Sequence, residues 1–460
     1  MGYSSTIVNN DMFVGHEDIL NDIMNGLKNG ESYAIIGGRR CGKTSILRKI
    51  EEVLKIPSKI ELFNVKPCYI DAQGLDDFTV RGVFREIYSQ TVKGLCNASW
   101  LYADNGHDYD NFKKHLDQIK PMFESKYGDN WLVVLLIDEL DMLSTKLNND
   151  LFFQNLRNFL MNSDFARNFR LITTGVKILS NLISHGSPLN NLKYKYLEIV
   201  SEKAADNLIC KGFPYGFRPE VREYFVDITG RHPYIMQGIC ENLPRNGNAV
   251  DEMALYTAKT KFQEEHRDFN TWRDGFSETE CTIYHLLAES KDSFLTGIEL
   301  KDAIHPSLIS NVQDSLTTLR YHGVIDRTDK NKPNKIAGTI FKKWFEENLP
   351  KDKIKLSEKA LKAALIKSTE DLLEAVNGSA LGNEELAKAQ EALNDAISKL
   401  KDDTTDISIN KNYLRTTFDK TLEILKTAGP IIKDSANIYS ALNVLGTSIG
   451  WAAGFLSGTI

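Results

Sequence analysis

The stretch "GGRRCGKTS", residues Gly37–Ser45, decides the fold of this chain. It fits the pattern G-x-x-x-x-G-K-[ST], with Gly37, Gly42, Lys43 and Thr44 at the defining positions. The apolar run "SYAII" just before it predicts a short buried strand, and an amphipathic helix is expected directly after it. A glycine-rich loop between a strand and a helix is typical of a phosphate-binding loop, because loop N–H groups and the helix N-terminus both attract anions.

The loop predicts roles for individual side chains. Lys43 is expected to reach the β- and γ-phosphates of a bound nucleotide, and Thr44 is expected to bind Mg²⁺. Arg39 and Arg40 leave three interpretations open, namely contact with the nucleotide, contact with a neighbouring subunit, or a solvated surface. The nucleotide-binding residues expected from the loop are Gly37, Gly38, Arg39, Arg40, Cys41, Gly42, Lys43, Thr44 and Ser45.

The run "WLVVLLIDEL", residues 131–140, supplies a second half of the site. A nearly continuous apolar run that ends in acids is typical of a central strand of a parallel sheet, buried on both faces. We expect Asp138 to support Mg²⁺ and Glu139 to orient or activate water, with Lys43 completing the catalytic set. The alternative is that these acids only cap a helix, and Asp141 is interpreted as structural.

Strands alternate with helices up to about residue 200, which predicts an α/β fold with a parallel sheet. The strand "FRLITTG" has Thr173 and Thr174 near its end, and the alternatives are that Thr173 or Thr174 senses the γ-phosphate or that these hydroxyls only cap the strand end. The candidates for an arginine that reaches a neighbouring subunit are Arg157, Arg167 and Arg170, which the sequence does not rank.

The chain is predicted to have four parts. Residues 1–200 form the nucleotide-binding domain, and the fading strand signals from 201 predict a helical lid over 201–270. Residues 271–350 alternate helices with a short hairpin and predict a winged helix. Residues 351–460 are rich in Ala, Leu, Lys and Glu and predict an all-α region.

The composition restricts the class of protein. The chain has 42% hydrophobic and 26% charged residues, which excludes wholesale disorder. Its net charge of -6 disfavours a dedicated nucleic-acid binder. Six cysteines are scattered without a CxxC pair, which disfavours zinc and a disulfide framework and fits a reduced cytosol.

The segment "FVGHEDILNDIMNGLKNGESYAIIGGRRCGKTSIL", residues 13–47, resembles the STAND branch of the AAA+ ATPases, and within it the archaeal-type ATPases. Phe13, Val14, Gly15 and Glu17 match an FVGRE-like box, and His16 replaces its arginine. The resemblance continues through "LLIDELD", "LITTG" and "TGRHPYIMQ" and covers about residues 10 to 348.

The resemblance implies a nucleotide-binding domain, a helical lid and a winged helix. It also implies base contacts from Phe13 and Val14, and a Gly-x-Pro-type lid motif in which Pro233, after Gly230 and His232, packs on adenine. Such proteins hold ADP at rest, exchange it for ATP on a trigger, form homo-oligomers and activate an attached effector, in some cases in prokaryotic antiviral defence. The trigger, a protein or a nucleic acid, is not identifiable from the sequence.

The tail "LGTSIGWAAGFLSGTI" carries glycines at Gly446, Gly450, Gly454 and Gly458, one every four residues. On a helix this spacing creates a flat face that favours close packing of helices. Three alternatives stay open for residues 436–460: a buried helix of the C-terminal bundle, a helix that enters a membrane on activation, and a self-association helix in water. The expected location is the cytoplasm, with membrane association only on activation.

Three functions compete at this stage. The first is an ATP-dependent signalling switch that hydrolyses ATP slowly and releases a helical effector. The second is a DNA-binding winged-helix ATPase of the origin-recognition type. The basic wing with Lys330, Lys332 and Lys335 favours it, because lysines can contact DNA phosphates, whereas the expected recognition helix has Arg320 as its only basic residue. The third is a chaperone-like scaffold ATPase.

Overall fold

A computed structural model describes residues 13–56, 64–93, 108–147, 150–184, 186–245, 249–265, 268–290, 292–327, 334–377 and 383–401. The tail of 436–460, with its three alternatives, lies outside these residues. The described chain divides into two compact units. The first contains the described residues up to Gly275 together with Asp292–Phe294 and Leu316–Glu347, and the second contains the rest.

The first unit is organised around one parallel sheet. Its five strands lie in the order β2-β3-β4-β1-β5, and every neighbouring pair runs parallel. The strands are β1 (Tyr33–Ile36), β2 (Asn64–Asp71), β3 (Trp131–Asp138), β4 (Phe169–Gly175) and β5 (Lys193–Tyr196). This sheet, with the phosphate-binding loop after β1 and helices between the strands, confirms the predicted α/β P-loop NTPase fold.

Both faces of the sheet are covered, which explains the continuous apolar runs in β3 and β4. Successive side chains of a strand point to opposite faces. Accordingly, Val133, Leu135 and Ile137 belong to one hydrophobic cluster, whereas Leu132, Val134 and Leu136 belong to the other. Every residue of β3 and β4 is buried, so these strands form the centre of the core.

Helices connect the strands and continue after β5. The helices that connect and flank the strands are α1 (Glu17–Lys28), α2 (Lys43–Leu54), α3 (Val80–Val92), α4 (Asp108–Tyr127), α5 (Leu140–Leu147), α6 (Asp150–Asn162) and α7 (Lys177–Leu182). The segment predicted as a lid contains α8 (Glu202–Gly212), α9 (Pro219–Thr229), α10 (Pro233–Asn242) and α11 (Glu252–Glu265), and α12 (Asp268–Gly275) follows.

The segment predicted as a winged helix contributes to both units. Its elements are α13 (Glu278–Glu289), α14 (Gly297–Ala303), α15 (Val312–Tyr321), β6 (Ile325–Asp326), β7 (Lys335–Ile336) and α16 (Thr339–Glu347). A 3₁₀ segment over Pro306–Asn311 precedes α15, and in it the N–H of Leu308 donates to the carbonyl of His305 three residues back. The predicted domain boundaries stay predictions.

The C-terminal part of the second unit is helical as far as it is described. The helices α17 (Glu358–Asn377) and α18 (Asn383–Lys401) pack against each other, and α18 buries Leu393, Ala396 and Leu400. Among the residues that the structure describes, no helix is both long and apolar enough to cross a membrane.

Candidate nucleotide site

The loop between β1 and α2 adopts the shape that its glycines permit. Gly42 has φ of 92°, a left-handed conformation, and open space surrounds the position where a Cβ would lie. The helix α2 begins at the next residue, Lys43, so its N-terminus faces the loop. The loop and helix end therefore provide the backbone N–H groups and the positive potential that a phosphate needs.

The loop is held by contacts within the first unit. The Nζ of Lys43 donates to the carbonyl of Gly38 at 2.9 Å, and the N–H of Gly38 donates to the carbonyl of Tyr321 at 2.7 Å. A Cβ on Gly38 would lie 2.7 Å from the Cα of His322, so only glycine allows this close approach. The thiol of Cys41 also donates to Tyr321 O at 3.3 Å. The end of α15 thus occupies groups that the loop would otherwise offer to a ligand.

The loop also contacts the lid segment. The guanidinium of Arg40 lies 3.6 Å from the carboxylate of Asp268 and 5.4 Å from the ring centroid of Tyr234. The hydroxyl of Tyr234 donates to Asp268, which completes a small network. Arg40 therefore lies at the cavity but binds the lid, an interpretation that the sequence did not include. Arg39 is exposed at the cavity.

Two buried histidines pack close to the loop. The Nε2 of His232 lies 3.6 Å from the Sγ of Cys41, and its ring lies 4.7 Å from that of Trp272. Burial lowers the pKa of His232 to about 4 and is also the main cause that lowers the pKa of His322 to about 3, with Lys43 adding to the second shift. Burial raises the pKa of the Cys41 thiol to about 11. Around neutral pH these three groups are uncharged.

The acids follow β3 as predicted, but they differ in access. The carboxylate of Asp138, 3% exposed, accepts hydrogen bonds from the Tyr69 hydroxyl at 2.8 Å and from the Thr174 hydroxyl. Glu139 lines the cavity instead. Thr174 also accepts a hydrogen bond from the N–H of Glu139 at 2.9 Å, so this threonine positions both acids from the neighbouring strand.

Glu139 is held in an unusual backbone conformation, with φ of 56°. The side-chain amide of Gln73 donates to its carboxylate at 2.8 Å. Asp141 has a structural contact, as predicted, because its carboxylate accepts the N–H groups of Val176 at 2.5 Å and Leu179 at 2.6 Å at the start of α7. Burial raises the pKa of Asp141.

The apolar part of the cavity lining comes from the box before α1 and from the lid segment, and we call it the base end. Phe13, Val14 and His16 line it together with Val200, Leu208 and Pro233. The Nζ of Lys211 donates to the carbonyl of Phe13 at 3.2 Å, which ties the box to α8. Burial lowers the pKa of His16, so its ring is neutral around neutral pH. This apolar end suits the flat face of a base.

The cavity has a volume of about 740 Å³, which is enough for a nucleotide. The buried polar atoms of its lining residues that have no hydrogen-bond partner among the described residues include Nε2 of His16, Oε1 of Gln237 and Nε1 of Trp272. Buried polar atoms in proteins nearly always have partners, so these atoms indicate a polar ligand. Together with Lys43 and Thr44, the residues present fit a nucleotide with Mg²⁺.

The structure brings together most of the predicted site residues. Those that line the cavity are Phe13, Val14, Arg39, Arg40, Cys41, Gly42, Lys43, Thr44, Ser45, Glu139 and Pro233. Four others lie outside its lining: Gly37, Gly38, Asp138 and Thr174. The sequence reasoning missed Gln73, Gln237, Trp272 and His322. No local pattern distinguishes three of them, whereas Gln237 ends the quoted stretch "TGRHPYIMQ" without having been assigned a role.

The arginine candidates now differ from one another. Arg170 is 8% exposed, and its Nη1 donates to the carbonyls of Ala166 and Phe169 at 2.6 and 2.7 Å. Arg170 therefore does not offer its guanidinium to a neighbouring subunit. Arg157 is half-buried and Arg167 is exposed.

No described protein family matches the sequence, and no curated protein is similar to it. Solved structures are similar to it over about three quarters of its length. The ORC2 protein of Aeropyrum pernix in ADPNP–ADP complexes is 15% identical over 73% of this chain and 94% of that chain, with a TM-score of 0.44. Drosophila ORC bound to DNA is 16% identical over 75% and 82%, with a TM-score of 0.38. A RuvB variant of Thermotoga maritima is 15% identical over 72% and 95%, with a TM-score of 0.36. These values restrict the likeness to the general fold.

Proposed function

We propose that this protein is an ATP-dependent conformational switch that binds ATP with Mg²⁺ and hydrolyses it slowly. The observation that carries the proposal is the contact between the phosphate-binding loop and the end of α15. Gly38 N–H and the Cys41 thiol both donate to Tyr321 O, and His322 packs against Gly38. A nucleotide that reshapes this loop must also change the position of that helix end, which is what a switch requires.

The residues support slow hydrolysis in the following way. Lys43 and the N-terminus of α2 would bind the phosphates, and Thr44 would hold Mg²⁺, with Asp138 behind it. The ion would supply charge neutralisation at the phosphates. Glu139, held by Gln73 and the Thr174 hydroxyl, would accept a proton from water as general base. The hydrogen bond from Gln73 restrains this carboxylate, which fits a slow reaction.

The output of the switch is proposed by analogy with the STAND ATPases that the sequence resembles. Release of the contact at Tyr321 would free the elements after α15, let the protein form homo-oligomers and activate the helical effector predicted for residues 351–460. A protein or nucleic-acid trigger and a role in antiviral defence rest on the resemblance alone and stay predictions.

A DNA-binding ATPase is the second candidate. Origin-recognition proteins with DNA are among the similar solved structures, and their likeness is one of fold alone. In this chain, the exposed Lys335 on β7 favours contact with phosphates. The environment of Arg320 disfavours its contact with DNA bases, because the residue is half-buried and its Nη2 donates to the side chain of Asn334 at 2.7 Å.

The test compares the protein with ADP and with a slowly hydrolysed ATP analogue. Light scattering would measure the oligomeric state, and hydrogen exchange would measure protection of residues 37–45 and 316–327. We expect larger assemblies and faster exchange in both segments with the ATP analogue. Equal mass and equal protection in the two states would overturn the switch. Salt-dependent binding to duplex DNA, with unchanged assembly, would favour the second candidate.

A further inference from the structure

Gln237 lies on α10, one helical turn after Pro233, and its side chain lines the cavity. The residue is 4% exposed, and its Oε1 is buried without a hydrogen-bond partner among the described residues. An amide oxygen can only accept a hydrogen bond. A ligand that satisfies it must therefore bring a donor to this point of the cavity.

The chemistry of a nucleotide restricts which part can meet this oxygen. Its phosphates carry acceptor oxygens and no donor around neutral pH, so they do not suit Oε1 of Gln237. Its donors are the ribose hydroxyls and the exocyclic amine of the base. Pro233 lies one helical turn before Gln237 on the same helix and also lines the cavity, and its apolar ring suits the face of a planar base. The amine is therefore the donor that fits best.

A second buried polar atom of the cavity lining also lacks a hydrogen-bond partner among the described residues. The indole Nε1 of Trp272 can only donate, the residue is 1% exposed, and no described residue accepts its hydrogen bond. An acceptor atom of the same ligand would satisfy it. One acceptor and one donor, both buried in a cavity, indicate a ligand with both functions, such as a purine nucleotide.

We propose that Gln237 determines base specificity, with its Oε1 accepting a hydrogen bond from the exocyclic amine of adenine. This inference rests on the proposed nucleotide binding. Guanine has a carbonyl oxygen where adenine has the amine, so GTP brings no donor to Oε1 and could bond to this residue only if the amide turned and donated from Nε2. The residue takes no part in chemistry, and its effect is on affinity alone.

The test changes the ligand first, by removing the exocyclic amine of the base. Affinities of the full-length protein would be measured for ATP and for purine riboside triphosphate, which lacks only the amine. The loss of one buried hydrogen bond predicts roughly tenfold weaker binding of the second ligand. The Gln237→Met variant, similar in volume, should bind both purine ligands equally. The Gln90→Met variant on α3 is the matched control and should keep the tenfold difference.

The outcomes separate the two proposals. If the protein binds neither ATP nor its amine-free analogue, the proposed nucleotide function fails. If it binds both with equal affinity, nucleotide binding stands and the role of Gln237 is overturned. A preference for GTP would also overturn it, because it would place a donor where we assign an acceptor. Should Gln237→Met not fold, ATP methylated twice on its amine repeats the test on the unaltered protein, and affinity equal to that of ATP overturns the proposal.

Discussion

The two ends of the cavity differ in how far their polar groups are already satisfied. At the phosphate end, Lys43 donates to Gly38, Gly38 donates to Tyr321, and Arg40 lies beside Asp268. At the base end, the buried Oε1 of Gln237 has no such partner in the described chain. When a ligand binds, the phosphate end must exchange hydrogen bonds within the protein for hydrogen bonds to the ligand. The base end forms hydrogen bonds that the protein alone does not have.

This difference separates affinity from switching. New hydrogen bonds at the base end stabilise the complex without breaking hydrogen bonds within the protein, so they set which nucleotide binds. The hydrogen bonds exchanged at the phosphate end depend on the number and position of phosphates, so they are the ones that distinguish ADP from ATP. A ligand shifts a conformational equilibrium only by the difference in its affinity for the two states. We therefore expect variants of the two ends to have different signatures.

The largest effect is expected for Glu139→Gln. Loss of the carboxylate removes the general base, and such losses typically slow turnover by about 10²–10⁴-fold. ATP affinity should change little, because the amide keeps the size of the side chain and the partner Gln73. Steady-state phosphate release measures the rate, with Glu52→Gln on α2 as the control. Turnover at the unaltered rate would assign the base to another residue.

The next effect is expected for Lys43→Ala. The variant loses the cation for the phosphates and also the internal bond to Gly38, so affinity should fall by about 10²-fold. Because the loss is at the phosphate end, ATP, GTP and the amine-free analogue should weaken by the same factor. Titration calorimetry measures this, and Lys49→Ala on the same helix is the control. If the loss of affinity differed between the nucleobases, the phosphate end and the base end of the cavity would not act independently.

The buried histidines predict a pH dependence of stability. In the unfolded chain a histidine has a pKa of about 6.5, whereas His232 and His322 have values of about 4 and about 3 in the fold. As the pH falls below about 6.5 the unfolded state binds protons that the folded state does not, so the free energy of unfolding decreases. At pH 5 the loss is about 2 kcal/mol for each histidine.

Urea unfolding between pH 7 and pH 5 measures this loss. The His322→Gln variant should show a shallower pH dependence than the unaltered protein, whereas substitution of the exposed His305 by Gln should leave it unchanged. An equally steep dependence in His322→Gln would mean that His322 is not a neutral buried group.

The smallest effect is expected for Asp268→Asn. Its ion pair with Arg40 joins partly exposed side chains, at 39% and 27% exposure, and such pairs contribute about 0.2–1 kcal/mol. If this pair holds the loop to the lid, the variant should release bound nucleotide up to about fivefold faster. Stopped-flow displacement of a fluorescent ADP measures the rate. A slower release would mean that Arg40 prefers the nucleotide once Asp268 no longer competes.

The sequence predicted the parts of the site that local patterns carry. The loop from Gly37 to Ser45 and the apolar run before Asp138 each have a period, a spacing and flanking elements that favour one structure. Their relation also followed, because in a parallel sheet the carboxyl ends of all strands meet at one edge. The contact of Arg40 with Asp268 could not be predicted in this way. The sequence around a loop residue does not show which side chain of a distant helix it will contact.

Most of the residues that the sequence missed come from elements without a signature. Trp272 is a single aromatic residue on a short helix, and Gln237 ends the stretch "TGRHPYIMQ", where nothing marks the lack of a partner. His322 approaches Gly38 only because the chain returns after nearly 300 residues, and no periodicity reports such a contact. Burial of Asp138 behind Thr174 and Tyr69 likewise depends on three separate strands.

The position of Thr174 between the two halves of the site has a consequence for how such a protein can change over evolution. The hydroxyl of Thr173 donates to the carbonyl of Ile137, and that of Thr174 donates to Asp138, so neighbouring threonines serve different partners on the adjacent strand. Insertion or deletion of one residue within β4 would turn each side chain to the other face. It would also shift the loop relative to the acids, because β4 lies between β1 and β3. We therefore expect the length of β4 to be fixed among proteins with this site, whereas surface loops vary freely.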